Sequence, residues 1–142
     1  MTTQLTQFNV SKSSNKLEII FSSTLDNIDK ANAETKKFLI ELGLEEQLFP
    51  ICLVMREGLT NAVKHGHRFD FEKIVHYSLL FNNESIVMEI LDQGEGFDWR
   101  AAQEKEPSPD KDHGRGIPIM KEYFSKVSYN SKGNHVIITK HL

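Results

Sequence analysis

Strand-like runs in this chain arrive in closely spaced pairs, and that order restricts the fold more than any other feature. After a first run, Lys16-Leu17-Glu18-Ile19-Ile20-Phe21-Ser22, come two helical stretches. Then follow 74–81 and 85–91, separated by Asn82-Asn83-Glu84, and finally 127–129 and 135–140. Strands joined by a few residues pair antiparallel, whereas a parallel pair needs a crossover of about a dozen residues or more. The order β-α-α-β-β-loop-α-β-β therefore predicts an α+β two-layer sandwich. Its sheet is mixed and mostly antiparallel, with helices covering one face.

The first helix shows apolar residues at Leu25, Ile28, Phe38, Leu39 and Leu42 and stops at Gly43, with Ser23 and Asp26 set as a capping box. The second is expected over 45–65, with the stripe Leu48, Cys52, Met55, Leu59 and Ala62 on one face. Pro50 falls in its first turn or two, where a missing N–H matters least, and Gly66 is the stop signal. Residues 1–15, rich in Thr, Ser, Gln and Asn, read as a flexible N-terminal tail, leaving 16–142 as one domain. Residues 98–113 are polar, contain Pro107 and Pro109, and read as a long functional loop before a short helix over 117–124.

Composition excludes several classes. A net charge of -3 over 142 residues gives no general pull toward nucleic acid. The single cysteine, Cys52, cannot form an internal disulfide. The polar opening, Met1 to Lys16, lacks the apolar stretch of a signal peptide, and no apolar run is long enough to span a bilayer. The expectation is a soluble, cytoplasmic protein without direct nucleic-acid or membrane contact.

Three short motifs carry chemistry. Glu57 and Asn61 stand four apart on the second helix and share a face roughly opposite the apolar stripe. An amide oxygen suits a hard cation such as Mg²⁺, and a carboxylate can accept a proton from an attacking hydroxyl. Asp92-Gln93-Gly94-Glu95-Gly96-Phe97 follows a strand directly. A carboxylate there can accept from the exocyclic amine of adenine, while Gly94 and Gly96 let a flat base approach the backbone. His113-Gly114-Arg115-Gly116-Ile117 closes the long loop at a helix start, where backbone N–H groups and the Arg115 fork favour phosphate. Taken singly, these are a solvated helix face, a tight turn and a loop-to-helix junction. Neither a Walker A loop nor a Rossmann turn is present: no Gly-Lys-Ser/Thr follows the last motif, and Gly94-Glu95-Gly96 opens a Pro-containing loop.

In order and spacing the three together resemble the Bergerat-type nucleotide site of gyrase-like ATPases, chaperones, histidine kinases and mismatch-repair ATPases. The resemblance runs from Lys16 to the C-terminus. Three stretches are similar to the anti-sigma factor and serine kinase branch of the histidine-kinase-like ATPases: Glu57-Gly58-Leu59-Thr60-Asn61-Ala62-Val63-Lys64-His65-Gly66, Gly114-Arg115-Gly116-Ile117-Pro118-Ile119-Met120, and Thr139-Lys140-His141-Leu142.

That resemblance implies ATP and Mg²⁺ as cofactors. Asn61 would hold the metal and Glu57 would be the general base. Asp92 would read the adenine amine beside Gly94 and Gly96. Residues 98–113 would be a lid, and Gly114, Arg115 and Gly116 would wrap the phosphates. The partners implied are a sigma factor and an anti-anti-sigma protein, whose serine would be phosphorylated, with the chain acting as a homodimer. In the branch a Thr of the last strand helps hold adenine. Here Ile137 takes that place, with Thr139 two residues on as a substitute on the same face. A nucleotide-gated binding module without catalysis is the competing reading. The catalytic domain of a sensor histidine kinase would need a phosphoacceptor hairpin that 1–15 cannot supply.

Overall fold

The computed structural model describes residues 7–66, 70–94 and 123–142, with side chains described up to Lys64 in the first stretch. They form strands β1 (Phe8–Lys12) and β2 (Lys16–Ser22), helices α1 (Leu25–Glu41) and α2 (Leu48–Asn61), and strands β3 (Ile74–Phe81), β4 (Ser85–Asp92), β5 (Lys126–Tyr129) and β6 (His135–His141). The strands make a six-stranded sheet in the order β1-β2-β3-β4-β6-β5. Every pairing between them is antiparallel. The mixed component expected of the sheet is absent among the described residues.

Alternation builds the core. Leu17, Ile19 and Phe21 of β2, Val75, Tyr77 and Leu79 of β3, Ile86, Met88 and Ile90 of β4, and Val136 and Ile138 of β6 are buried against the helices. Residues between them, such as Glu18, His76, Glu89 and Ile137, stand on the opposite face, where no described helix packs. One row of register partners crosses the whole sheet on the helix side: Val10, Ile19, Tyr77, Ile90, Val136 and Tyr129.

Helix α1 starts one residue later than its sequence suggests. Thr24, with extended backbone, is the N-cap, and its hydroxyl accepts from Asn27 N at 3.1 Å. Ser23 is instead buried and gives its N–H to the Lys73 carbonyl. Leu25, expected in the core, is exposed, and the buried positions are Asn27, Ile28, Ala31, Thr35, Phe38 and Leu39. At the other end Gly43 has φ +73° and donates to Ile40 O, while Leu44 donates to Leu39 O. This paired capping uses the left-handed conformation that glycine adopts without strain.

The second helical stretch is composite. A 3₁₀ turn (Glu45–Gln47) leads into α2, which passes into a π turn (Ala62–Gly66). Pro50 is the third residue of α2, in the first turn as expected. The buried face is Ile51, Val54, Met55, Gly58 and Leu59, continued by Ala62 and Val63. The stripe read from the sequence is thus rotated: Leu48 and Cys52 lie at its edge, Cys52 half-buried in a surface groove with Asn32, Lys36 and Phe49. The physical reason is that α2 packs on α1 as well as on the sheet, so its apolar arc is wider than one seam.

Part of the segment 1–15, read as a tail, is a strand. Phe8–Lys12 is an edge strand along β2, and Phe8 packs on Phe21 with ring centroids 6.2 Å apart. Polar composition suggested a tail, but the ladder is made by the main chain and needs few apolar side chains. The turn at 82–84 is as expected, with Asn83 at φ +73° and Asn82 Oδ1 accepting from Ser85 N at 2.9 Å. The long loop over 98–113 and most of the helix over 117–124 lie outside the described residues.

Candidate functional site

Three elements converge at one end of the sheet. The last turn of α2 brings Gly58 and Asn61, the end of β4 brings Ile90 and Asp92, and the β5–β6 hairpin brings Tyr129, Gly133 and Asn134. They line a small cleft open to solvent. The placement follows from the chain. Asn61 ends α2 where the helix loosens into its π turn, a distortion found often at functional sites. Asp92 is the last residue of β4, on the helix-facing side, because Val75 beside it in register is a core residue.

Asp92 is the electrostatic centre. Its side chain is buried, and Oδ1 accepts from Gly94 N at 2.8 Å, closing a tight turn at the strand end. Burial pushes its carboxyl up to about 6, against smaller lowering effects of the Gly94 N–H, Lys132 and Lys73. A buried carboxylate in a cleft with donors nearby is a strong acceptor for an amine that arrives without water.

The hairpin is tied to it. Asp92 N donates to Asn134 O at 2.9 Å, and Asn134 Nδ2 donates to Asp92 O at 3.2 Å. The Tyr129 hydroxyl hydrogen-bonds the Asn61 side chain, and burial raises its pKa well above the usual phenol range. Asn61 therefore faces β5 across the cleft, and α2 and the hairpin share one polar wall.

Of the residues picked from the sequence, Asn61 and Asp92 line this cleft together, and Gly94 is buried beside Asp92. Glu57, one turn before Asn61 and partly buried, is not among its lining residues. Gly96, Gly114, Arg115 and Gly116 lie outside the described residues. The last strand turns both residues considered for the adenine contact away from the helices. Ile137 pairs with Glu89 and Ser128 on the open face and is 40% exposed, and Thr139 shares that face two residues on. Neither lines the cleft; Asn134, at the entrance to β6, does. Pairing 85–91 with 135–140 in antiparallel register sets Leu91 opposite His135, which brings Asn134 beside Asp92. That register was the signal available in the sequence. Tyr129 had none beyond its position in a short strand.

An antiparallel sheet roofed by two helices, with a helix-borne Asn and a strand-end Asp facing one cleft, is the framework of the nucleotide site described by the three motifs. The profile of the histidine kinase-like ATPase domain matches residues 21–140, and the chain belongs to this family. Membership of an ATPase domain family implies that the chain binds ATP. Curated relatives include proteins named Anti-sigma F factor. Those of Anoxybacillus flavithermus and Bacillus subtilis are 27% and 28% identical over 137 residues, and that of Priestia megaterium is 27% identical over 138. Each comparison covers 90% of this chain and 93% of the relative.

No described helix is long and apolar enough to cross a membrane. Among the described residues no cluster of three His, Cys, Asp or Glu could cage a metal. A side-chain amide oxygen is a hard ligand of the kind Mg²⁺ accepts. Asn61 Oδ1 is such an oxygen.

Proposed function

We propose that this chain is an ATP-binding anti-sigma regulatory factor that sequesters a sigma factor and phosphorylates a serine of an anti-anti-sigma antagonist. The observation that carries this reading is the similarity to anti-sigma F factors over 90% of the chain, joined to a cleft lined by both Asn61 and Asp92. In it, Asp92 accepts from the adenine amine and Gly94 and Gly96 flank the base. Asn61 offers Oδ1 to Mg²⁺, and Gly114, Arg115 and Gly116 surround the phosphates. Mg²⁺ bound there would neutralise charge on the phosphates.

The reaction needs few protein groups. The serine Oγ bonds to the γ-phosphorus, the bond from that phosphorus to the bridging oxygen breaks, and ADP leaves. Glu57 takes the hydroxyl proton. Positioning and electrostatic stabilisation do the remainder, as phosphoryl transfer requires. A cytoplasmic homodimer acting on transcription through its sigma factor, with no contact to DNA of its own, completes the reading.

The competing function is a nucleotide-gated binding module, favoured by one observation: Glu57 is absent from the lining of the cleft. The deciding experiment is transfer of label from γ-labelled ATP to an anti-anti-sigma protein co-expressed with the chain. Transfer that is lost in Asp92→Ala supports the kinase. ATP binding with no transfer under any Mg²⁺ concentration would reduce the protein to the binding module. No ATP binding by the wild type would remove both.

A further inference from the structure

The turn between β5 and β6 carries a relay of two side-chain amides whose direction is fixed at both ends by main-chain groups. At one end Asn130 Oδ1 accepts from Gly133 N at 2.8 Å, Asn134 N at 3.1 Å and His135 N at 3.3 Å. A backbone N–H only donates, so the oxygen of Asn130 faces the turn and its NH₂ end meets Asn134. At the other end Asn134 Nδ2 donates to the Asp92 carbonyl at 3.2 Å. A carbonyl only accepts, so the NH₂ end of Asn134 faces the strand end. Asn130 Nδ2 donates to Asn134 Oδ1 at 2.6 Å and joins the two. Neither amide flips without setting like ends against each other.

The main chain closes the turn without this relay. Asn130 N donates to His135 O at 3.0 Å and Gly133 N to Asn130 O at 3.1 Å, with Gly133 at φ +83°. What the relay adds is the orientation of Asn134. Asn134 lines the cleft beside Asp92, and Asn130 does not. Nδ2 of Asn134 carries two hydrogens, and among the described residues only the Asp92 carbonyl takes one of them. The second is a donor left for a ligand, close to the buried carboxylate of Asp92, which is an acceptor. A base with an amine beside a ring nitrogen offers the complementary pair.

We propose that Asn130 is a positioning residue, whose carboxamide holds Asn134 with its NH₂ end at Asp92, so that the cleft presents a donor beside an acceptor. The proposal rests on the reading of the cleft as an ATP site. Asn130 acts through its two ends separately. The oxygen gathers the N–H groups of the turn, and the NH₂ end orients Asn134. The two are therefore separable by substitution.

The test is equilibrium binding of a ribose-labelled fluorescent ATP analogue to the full chain, read beside the melting temperature. Asn130→Asp keeps an oxygen for the three N–H groups and removes the donor to Asn134. Its melting temperature should stay within about 2 °C of wild type, while affinity falls about 3–10-fold, the scale of one hydrogen bond. Asn130→Ala removes both ends, and should lose as much affinity while melting about 3–8 °C lower. Asn130→Asp also adds a charge, and the Asn134→Ala background separates that effect. There, Asn130→Asp should change affinity by less than about twofold. Wild-type affinity in Asn130→Asp overturns the proposal. So does an equal loss with and without the Asn134 side chain, which is the mark of charge or of a general defect in the turn. A wild type that binds no nucleotide overturns the parent reading itself, and that is seen before any variant is made.

Discussion

Asn134 Nδ2 reaches the main-chain carbonyl of Asp92 at 3.2 Å, so the residue that enters β6 is tied to the residue that ends β4. The backbone pair Asp92 N to Asn134 O, 2.9 Å, holds the same junction without help from a side chain. Asn134→Ala should therefore leave the fold intact, with the melting temperature lowered by no more than about 5 °C. Nucleotide affinity should fall about 3–10-fold, because the wall beside Asp92 loses its polar group. Asn134→Thr, which restores a hydroxyl, should recover part of it. Titration with a fluorescent ATP analogue checks both, and an affinity unchanged in Asn134→Ala would remove the turn from the site.

Asp92 makes binding and stability respond to pH in opposite senses. Its carboxyl titrates near 6 in the folded chain and near its ordinary value of 3.8 when unfolded. Because the folded value is raised, the folded state holds the proton more tightly. The associated stability is fully present below the unfolded value and is lost as pH rises through about 6. The ionised form is the better acceptor for an adenine amine, so nucleotide affinity should rise over the same window. Asp92→Asn keeps an oxygen for the Gly94 N–H and removes the buried charge. It should melt at a higher temperature than wild type at pH 8, by about 1 kcal/mol of stability or more, and show no such gain at pH 4. Its nucleotide binding should be lost at every pH. Calorimetry at the two pH values is decisive, since equal gains at both would mean that Asp92 carries no buried charge.

Thr35 and Tyr77 join α1 to the middle of the sheet through a contact of 2.8 Å between their hydroxyls, with both residues fully buried. Thr35 Oγ1 donates to Ala31 O at 2.8 Å, which leaves it to accept from Tyr77. The two deletions are therefore unequal. Thr35→Val strands the Tyr77 hydroxyl in the core and should cost about 1–3 kcal/mol. Tyr77→Phe leaves Thr35 still bonded to Ala31 and should cost about 0.5–1.5 kcal/mol. Urea denaturation that ranks the two the other way round would show that the tyrosine, not the threonine, was the satisfied partner.

The sheet was legible wherever side chains alternate. Lys16–Ser22 and Ile74–Phe81 have the bounds their pattern suggests, and β4 extends only one residue further, to Asp92. The failures occur where main chain or tertiary packing decides. Phe8–Lys12 pairs through its backbone, so its composition resembles a tail. The α2 stripe is rotated because the helix has two neighbours, which periodicity within one segment does not reveal. In the site, Asn61 and Asp92 were readable because each stands at the end of a regular element in a recognisable motif. Asn134 and Tyr129 were not, because they enter through a hairpin whose reach is set by the turn at Gly133, φ +83°, and by strand register. Successive residues of a strand face opposite ways, so Thr139 stands with Ile137 on the open face while Val136 and Ile138 face the helices.

Glu57 separates the two functions still open to this cleft. It lies one helical turn, about 6 Å of rise, before Asn61 and on the same side of α2, yet the walls around Asp92 do not include it. A general base belongs beside the attacking hydroxyl, so the variant that removes its basic oxygen decides between the two functions. Glu57→Gln keeps size and hydrogen-bonding capacity and removes the basic oxygen. ATP affinity should stay within about twofold, while the rate of phosphoserine formation on an anti-anti-sigma protein falls about 100–10,000-fold. Single-turnover transfer under saturating ATP reads the second quantity without interference from the first. A variant that loses affinity and transfer together would make Glu57 a binding residue. A variant that transfers at the wild-type rate would require the proton to leave by another route.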